Sequence, residues 1–240
     1  MSLRERAIEK FRSEGVVALG SAGVSFLVRK AKRRTIDRVL FRLWRFGFLD
    51  LNDIYPENYY RQMTREAARE DARRFSELII DRYEPDSVID LGCGVGRFLE
   101  PFYERGIEIR GVDGAQAAVS NALVPADRLA IHDLTEPYRP DEQADIVFCL
   151  EVLEHLPRDA SRTAAESIAA SAPVAIITTA PPGQGGRHHV NEQLMEFWIE
   201  EFDAVGMRYN SEETEYLSNR IDADELRWLK TNLGVFERDD

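Results

Sequence analysis

A doubly wound, mostly parallel α/β fold is what this chain predicts, on three observations. Apolar runs of strand length alternate with charged segments of helical length. The first run opens directly into a glycine-rich turn, Gly92-Cys93-Gly94-Val95-Gly96. The runs end on acidic residues, Asp90, Asp113, Asp133 and Glu151, at the edge where open α/β sheets bind ligands.

The elements follow in order. Residues 58–83 read as a helix, since Phe75, Leu78 and Ile79 recur at helical spacing among charges, and Pro85 stops it. Val88 to Leu91 is the first strand. Ile107–Val112, Leu129–Leu134, Ala144–Leu150 and Val174–Thr179 are the next four. Helices are expected over about 97–105, 115–123 and 158–171, and one capped by Asn191 and running to Val205. Arg208–Asn210 and Gly234–Arg238 read as two last strands, with a helix over 222–232 between them. Pro181-Pro182-Gly183-Gln184-Gly185-Gly186 is a loop at the carboxyl end of the fifth strand.

Ahead of this domain, taken as residues 51–240, lies a basic amphipathic extension, residues 1–50. It holds 12 Lys/Arg against 5 Asp/Glu, whereas 51–240 hold 19 against 38. An acidic domain repels phosphates, so a nucleic-acid substrate is not expected. Gly15 to Val28 is apolar but short of the roughly 20 residues that span a bilayer. Arginines interleaved with Leu43, Trp44 and Phe46 suit an interfacial helix on an anionic membrane; packing on the domain and binding a partner protein remain open beside it. Cys93 and Cys149 show no metal spacing, and no signal peptide is visible. A cytoplasmic location is expected, with peripheral contact on the inner membrane face if the arm binds lipid.

The glycine turn separates two ligand classes. A dinucleotide fingerprint is G-x-G-x-x-G, with a pyrophosphate on the helix N-terminus. Here the glycines alternate, Arg97 stands where the third glycine would be, and Asp90 lies two residues before Gly92. A carboxylate there repels a pyrophosphate and attracts an α-ammonium. Asp113 follows Gly92 by 21 residues, the spacing of an acid that grips ribose hydroxyls. The segment Val88 to Leu99 resembles motif I of the class I S-adenosylmethionine-dependent methyltransferases. Glu151-Val152-Leu153-Glu154-His155-Leu156 resembles their motif IV region. The resemblance implies a seven-stranded sheet closed by an antiparallel pair. It also implies S-adenosylmethionine as cofactor, held by Asp90, Gly92, Cys93, Gly94, Gly96, Asp113, Gly114 and Leu150. Asp133 and Leu134 are the pair that reads adenine in that family. The helix before the first strand covers one side of the cleft.

For methyl transfer to a hydroxyl, donor and acceptor must be aligned and a proton removed. Glu151, Glu154, His155, His188 and His189 are candidates, on two loops that converge at one sheet edge. His189, in a glycine-flanked loop, is the expected base, with Glu151 and His155 beside it. Glu151-x-x-Glu154-His155 with distant histidines also resembles the metal-holding string of small-RNA 2′-O-methyltransferases and the matching stretch of quinone O-methyltransferases. A divalent ion at Glu151, Glu154, His155 and His189 is therefore conceivable, but none is expected. Tyr59 and Tyr60 are candidates to close the cleft, while Phe197 and Trp198 read first as core. No N/D-P-P-Y/F/W signature follows the fourth strand, which disfavours adenine-N6 and glutamine-amide acceptors. The expected reaction is O-methylation of a small molecule or of a glycan or lipid-linked hydroxyl. Two alternatives stand beside it: a non-catalytic S-adenosylmethionine-binding subunit, and an NAD-dependent oxidoreductase. Oligomeric state is left open.

Overall fold

A computed structural model describes residues 36–37 and 39–238. Most of the basic arm, including the apolar run 15–28, lies outside them. Residues 39–45 form helix α1. Then follow α2 (Leu51–Ile54), α3 (Glu57–Met63), α4 (Glu66–Tyr83), β1 (Ser87–Leu91), α5 (Glu100–Glu104), β2 (Glu108–Asp113), α6 (Gln116–Ser120) and β3 (Leu129–Ile131). The second half adds β4 (Ile146–Cys149), α7 (Ser161–Ser171), β5 (Val174–Thr178), α8 (Met195–Asp203), β6 (Met207–Tyr209), α9 (Ser211–Arg220), α10 (Trp228–Thr231) and β7 (Leu233–Arg238).

The seven strands lie in the order β3-β2-β1-β4-β5-β7-β6. The first five are parallel; β7 enters antiparallel to both β5 and β6. Strand order reverses between β1 and β4, so the crevice of such a fold opens above their carboxyl ends. Alternation along the strands divides the core. Val88, Ile146, Phe148 and Ile176 face Phe75, Ile79, Phe102 and Leu217 on one side. Ile89, Leu91, Val147 and Ile177 face Ala164, Ile168, Trp198 and Phe202 on the other.

Several expectations are corrected. The helix predicted over 58–83 is two helices, broken at Thr64 and Arg65, and each does a different job. The short α3 puts Tyr59, Tyr60 and Met63 on the cleft, whereas α4 packs Phe75 and Ile79 into the core. The helix expected over 222–232 shrinks to Trp228–Thr231, and α9 appears where none was predicted. Its apolar pattern is thin, but Asn210 caps it by accepting from Glu213 N at 2.9 Å. Asn191 caps no helix: it is buried and donates to Ser161 Oγ at 3.1 Å, and α8 starts only at Met195. Trp198 is core, 1% exposed.

Buried Asp71 ties α4 to the segment before α10. Its carboxylate accepts from the backbone N–H of Asp224, Glu225 and Leu226 at 3.1, 2.7 and 2.8 Å, and Arg74 pairs with it. Without such a partner the buried Leu226 N–H would be left unmade, at about 1–3 kcal/mol. The described end of the arm packs on the domain: Asp37, Phe41 and Leu49 are buried.

Candidate active site

A cleft of about 540 Å³ lies at the carboxyl edge of the sheet. Its floor is the turn after β1. Gly92 has φ +86°, and a Cβ there would overlap the Val152 side chain, so only glycine serves. Gly92 N and Cys93 N both donate to Val112 O, at 2.7 and 3.0 Å, which locks the turn to β2.

Asp90, Gly92, Cys93, Gly94, Asp113, Gly114, Asp133, Leu134 and Leu150 all line this cleft. Gly96 does not: it turns beneath the loop, where an added Cβ would stand 2.9 Å from Val124. Its glycine is required by its φ of +75° and by packing rather than by approach to a ligand. Asp90 is 2% exposed, and burial, with Asp113 beside it, pushes its carboxyl up to about 8. Asp113 is raised by burial against the pull of the donors around it. Tyr60 Oη and Ala115 N donate to its Oδ1, at 2.9 and 3.0 Å, and Gly94 N donates to Oδ2 at 2.9 Å. Asp133 Oδ1 accepts from Thr135 N and Thr135 Oγ1, at 2.9 and 2.8 Å.

Glu151 heads the second wall. It holds φ +58°, a strained conformation for a non-glycine residue, with its N–H donating to Thr178 Oγ1 at 2.7 Å. Burial pushes its carboxyl up to about 7. Glu154, which does not line the cleft, is 1% exposed, and burial together with Glu151 holds it well above the ordinary carboxylate range. No hydrogen bond of ordinary geometry reaches its oxygens among the described residues; its own backbone N–H and the Glu151 carboxyl act on it.

Of the three histidines on the two loops, two meet at the cleft. The His155 and His189 rings meet edge to face at 5.0 Å, and both line the cleft. Burial drives His155 down to about 3, so it is neutral, and its Nδ1 lies 3.0 Å from Tyr55 Oη. The loop carrying His189 is held by Glu192, which accepts from Gly183 N and Gly185 N at 2.9 and 2.7 Å and stands 3.8 Å from His189 Nδ1. A Cβ at Gly186 would overlap the His189 ring. His188 turns away from the cleft with φ +65°, buried, its Nδ1 2.9 Å from Asp37 Oδ1. The fourth histidine, His132, lies outside, on Glu136 O at 3.2 Å.

Glu154, His155 and His189 each bring one ligand atom within 4.8 Å of the others; Glu151 stands outside that trio. One carboxylate and two imidazoles fit a divalent ion, and the buried Glu154 oxygens, without a hydrogen bond of ordinary geometry, suit one. His155 would ligate through Nε2, with Nδ1–H donating to Tyr55 Oη as the outer support.

Other lining residues carry no motif. Phe41, Trp44, Leu51, Tyr55, Tyr59 and Met63 come from the segment before β1, and Arg97, Arg187, Leu226 and Trp228 complete the wall. Tyr59 was among the residues expected to close the cleft; nothing in the sequence pointed the rest of the first group to it. Arg97 was visible as the residue that replaced the third glycine.

Comparison with known proteins agrees with this architecture. Residues 59–235 match the model of a methyltransferase domain family. A 74-residue stretch is 39% identical to a ubiquinone biosynthesis O-methyltransferase of Bradyrhizobium diazoefficiens, covering 29% of this chain and 29% of that protein. Among solved structures, a TehB-like S-adenosylmethionine-dependent methyltransferase from Corynebacterium glutamicum superposes with TM-score 0.59 at 18% identity, over 76% of this chain and 98% of that one. The magnesium protoporphyrin IX methyltransferase of Synechocystis, solved with bound S-adenosylhomocysteine, gives 0.53 at 19% identity, over 86% and 98%. These matches leave the NAD-dependent alternative without support. Turn, sheet order and family match converge: the chain belongs to the methyltransferase domain family, the S-adenosylmethionine-dependent enzymes of class I Rossmann-like fold.

Proposed function

We propose that this enzyme transfers the methyl group of S-adenosylmethionine to a hydroxyl oxygen of a small molecule, a glycan or a lipid-linked acceptor. The observation that carries this reading is the meeting of His155 and His189 on the wall of the same cleft that holds Asp90 and Asp113. Asp90 and Glu151 take the α-ammonium of the cofactor, and Arg97 takes its carboxylate. Asp113 holds the ribose; Asp133 and Leu134 face the adenine. His189 removes the hydroxyl proton as the oxygen attacks the methyl carbon in line with the departing sulfur. The sulfonium leaves as a neutral thioether, so charge falls as the bond forms.

A second reading is favoured by the buried Glu154 carboxylate, whose oxygens lack a hydrogen bond of ordinary geometry among the described residues. In it, Glu154, His155 and His189 hold a divalent ion. The ion would supply Lewis acidity, lowering the pKa of a bound hydroxyl. The two readings separate on addition of a chelator.

The basic arm suits contact with an anionic membrane. In its described part, Val39, Leu43, Phe46 and Phe48 are exposed by 39, 38, 73 and 65%, beside Phe41 and Trp44, which line the cleft. Among the described residues no helix is long and apolar enough to cross a membrane. Sedimentation with phosphatidylglycerol vesicles of a variant that lacks residues 1–35 and carries Phe46→Ser and Phe48→Ser tests the contact; retained binding would remove the arm from it.

Calorimetric titration tests the central reading. S-adenosylhomocysteine is expected to bind at micromolar concentration and NAD not at all. Loss of turnover on catechol acceptors in His189→Ala, with cofactor affinity kept, would exclude a non-catalytic binding subunit.

A further inference from the structure

Two guanidinium groups face the cleft, and among the described residues neither is in an ion pair. Arg97 rises from the glycine turn. Burial depresses its pKa, and Asp90 and Glu151 act on it only at longer range. Arg187 comes from the opposite loop and lies over the Tyr59 ring at 5.6 Å. A guanidinium on the wall of a cleft with no counter-charge in reach is open to an anionic group of a ligand. The cofactor brings a single carboxylate. Arg97 shares its end of the cleft with Asp90 and Glu151, the pair assigned to the α-ammonium, so it meets that carboxylate. Arg187 is left with none.

The position of Arg187 is fixed by a relay. Arg187 Nε–H donates to His188 Nε2 at 3.2 Å. With Nε2 accepting, the proton of His188 sits on Nδ1 and is donated to Asp37 Oδ1 at 2.9 Å. Both relay side chains are buried, 8% and 5% exposed, and His188 holds a left-handed backbone conformation to make the contact. Such strain persists only where the surroundings impose it. A planar guanidinium with one edge fixed presents its remaining N–H groups as a fork that matches a carboxylate.

We propose that Arg187 is the receptor for an acid group carried by the methyl acceptor, and that Asp37 and His188 are the residues that position it. The inference rests on the acceptor reading above and narrows it to acidic acceptors. Tyr59 beneath the guanidinium, with Phe41, Trp44 and Tyr55 lining the same cleft, suits an acceptor with a flat apolar body.

The test uses the full chain saturated with S-adenosylhomocysteine, titrated with 3,4-dihydroxybenzoate and with its methyl ester. The acid is expected to bind at least tenfold more tightly than the ester. Arg187→Met should abolish that ratio while S-adenosylhomocysteine affinity stays within twofold. Asp37→Ala should reduce the ratio, and Asp37→Asn, which keeps an oxygen for the His188 N–H, should restore most of it; a purely structural role would not move the ratio. Equal binding of acid and ester, or no binding of either, overturns the proposal. So does a weakened S-adenosylhomocysteine affinity in Arg187→Met with the ratio intact, because the guanidinium then serves the cofactor. Methyl transfer without acid preference would sink this inference and leave the methyltransferase reading standing. Acid preference without methyl transfer would do the reverse.

Discussion

Tyr60 donates its hydroxyl proton to Asp113 Oδ1 at 2.9 Å, tying helix α3 to the end of β2 across the mouth of the cleft. The carboxylate that would grip a ribose is therefore already met by the donors around it. Tyr60→Phe is expected to lower stability by about 1–3 kcal/mol, the worth of a hydrogen bond to a charged group. It should leave S-adenosylhomocysteine affinity within threefold. Asp113→Ala should weaken that affinity at least tenfold. Thermal melting and calorimetry on the two variants check the pair.

Asp90 gives a pH signature. Its folded pKa of about 8 lies above the ordinary value near 3.9. Between those values the folded protein keeps a proton that the unfolded chain has lost, so stability falls as pH rises through that window. The slope for one group is at most about 1.4 kcal/mol per pH unit. Asp90→Asn should flatten that slope and raise the melting temperature at pH 7.5, at the cost of cofactor affinity. An unchanged melting profile from pH 5 to 8 would show that Asp90 is ionised in the empty cleft.

The floor of the cleft should tolerate no side chain. Gly92→Ala meets both a positive φ and the Val152 side chain, and is expected to remove detectable S-adenosylhomocysteine binding. Gly92→Ala with Val152→Ala relieves the overlap and leaves the backbone strain, so affinity should return in part. Full recovery in the double variant would show that strain is negligible there.

Removing the base candidate separates chemistry from binding. His189→Ala is expected to lower kcat about a hundredfold, the scale of general base catalysis, with cofactor affinity unchanged. If Glu154→Gln lowers turnover equally and EDTA removes activity that Mg²⁺ or Mn²⁺ restores, the ion reading takes precedence over the simple base.

Much of the fold was legible because its signals are local. Gly92-Cys93-Gly94 after an apolar run fixes a strand and turn whatever the rest of the chain does, and Asp113 follows from strand spacing. What escaped reading depends on distant partners. The break at Thr64 is invisible in a charge-rich periodic stretch. Asn191 has the residue type of a helix cap, yet Ser161 and Leu153 claim its side chain from 30 and 38 residues away. His188 and His189 are indistinguishable as neighbours in sequence. Only the fold turns one toward Asp37 and the other toward the cleft. Arg187 acquires meaning from that same division.

The insertion of β7 between β5 and β6 bears on how the chain is made. β6 is hydrogen-bonded to β7 alone in the sheet, and β7 is the later of the two to be synthesised. Until residues 233–238 have left the ribosome, β6 has no sheet neighbour and β5 shows a bare edge. Closure of this side of the sheet therefore waits for β7, and a nascent chain stalled before β7 would present those apolar strands to chaperones.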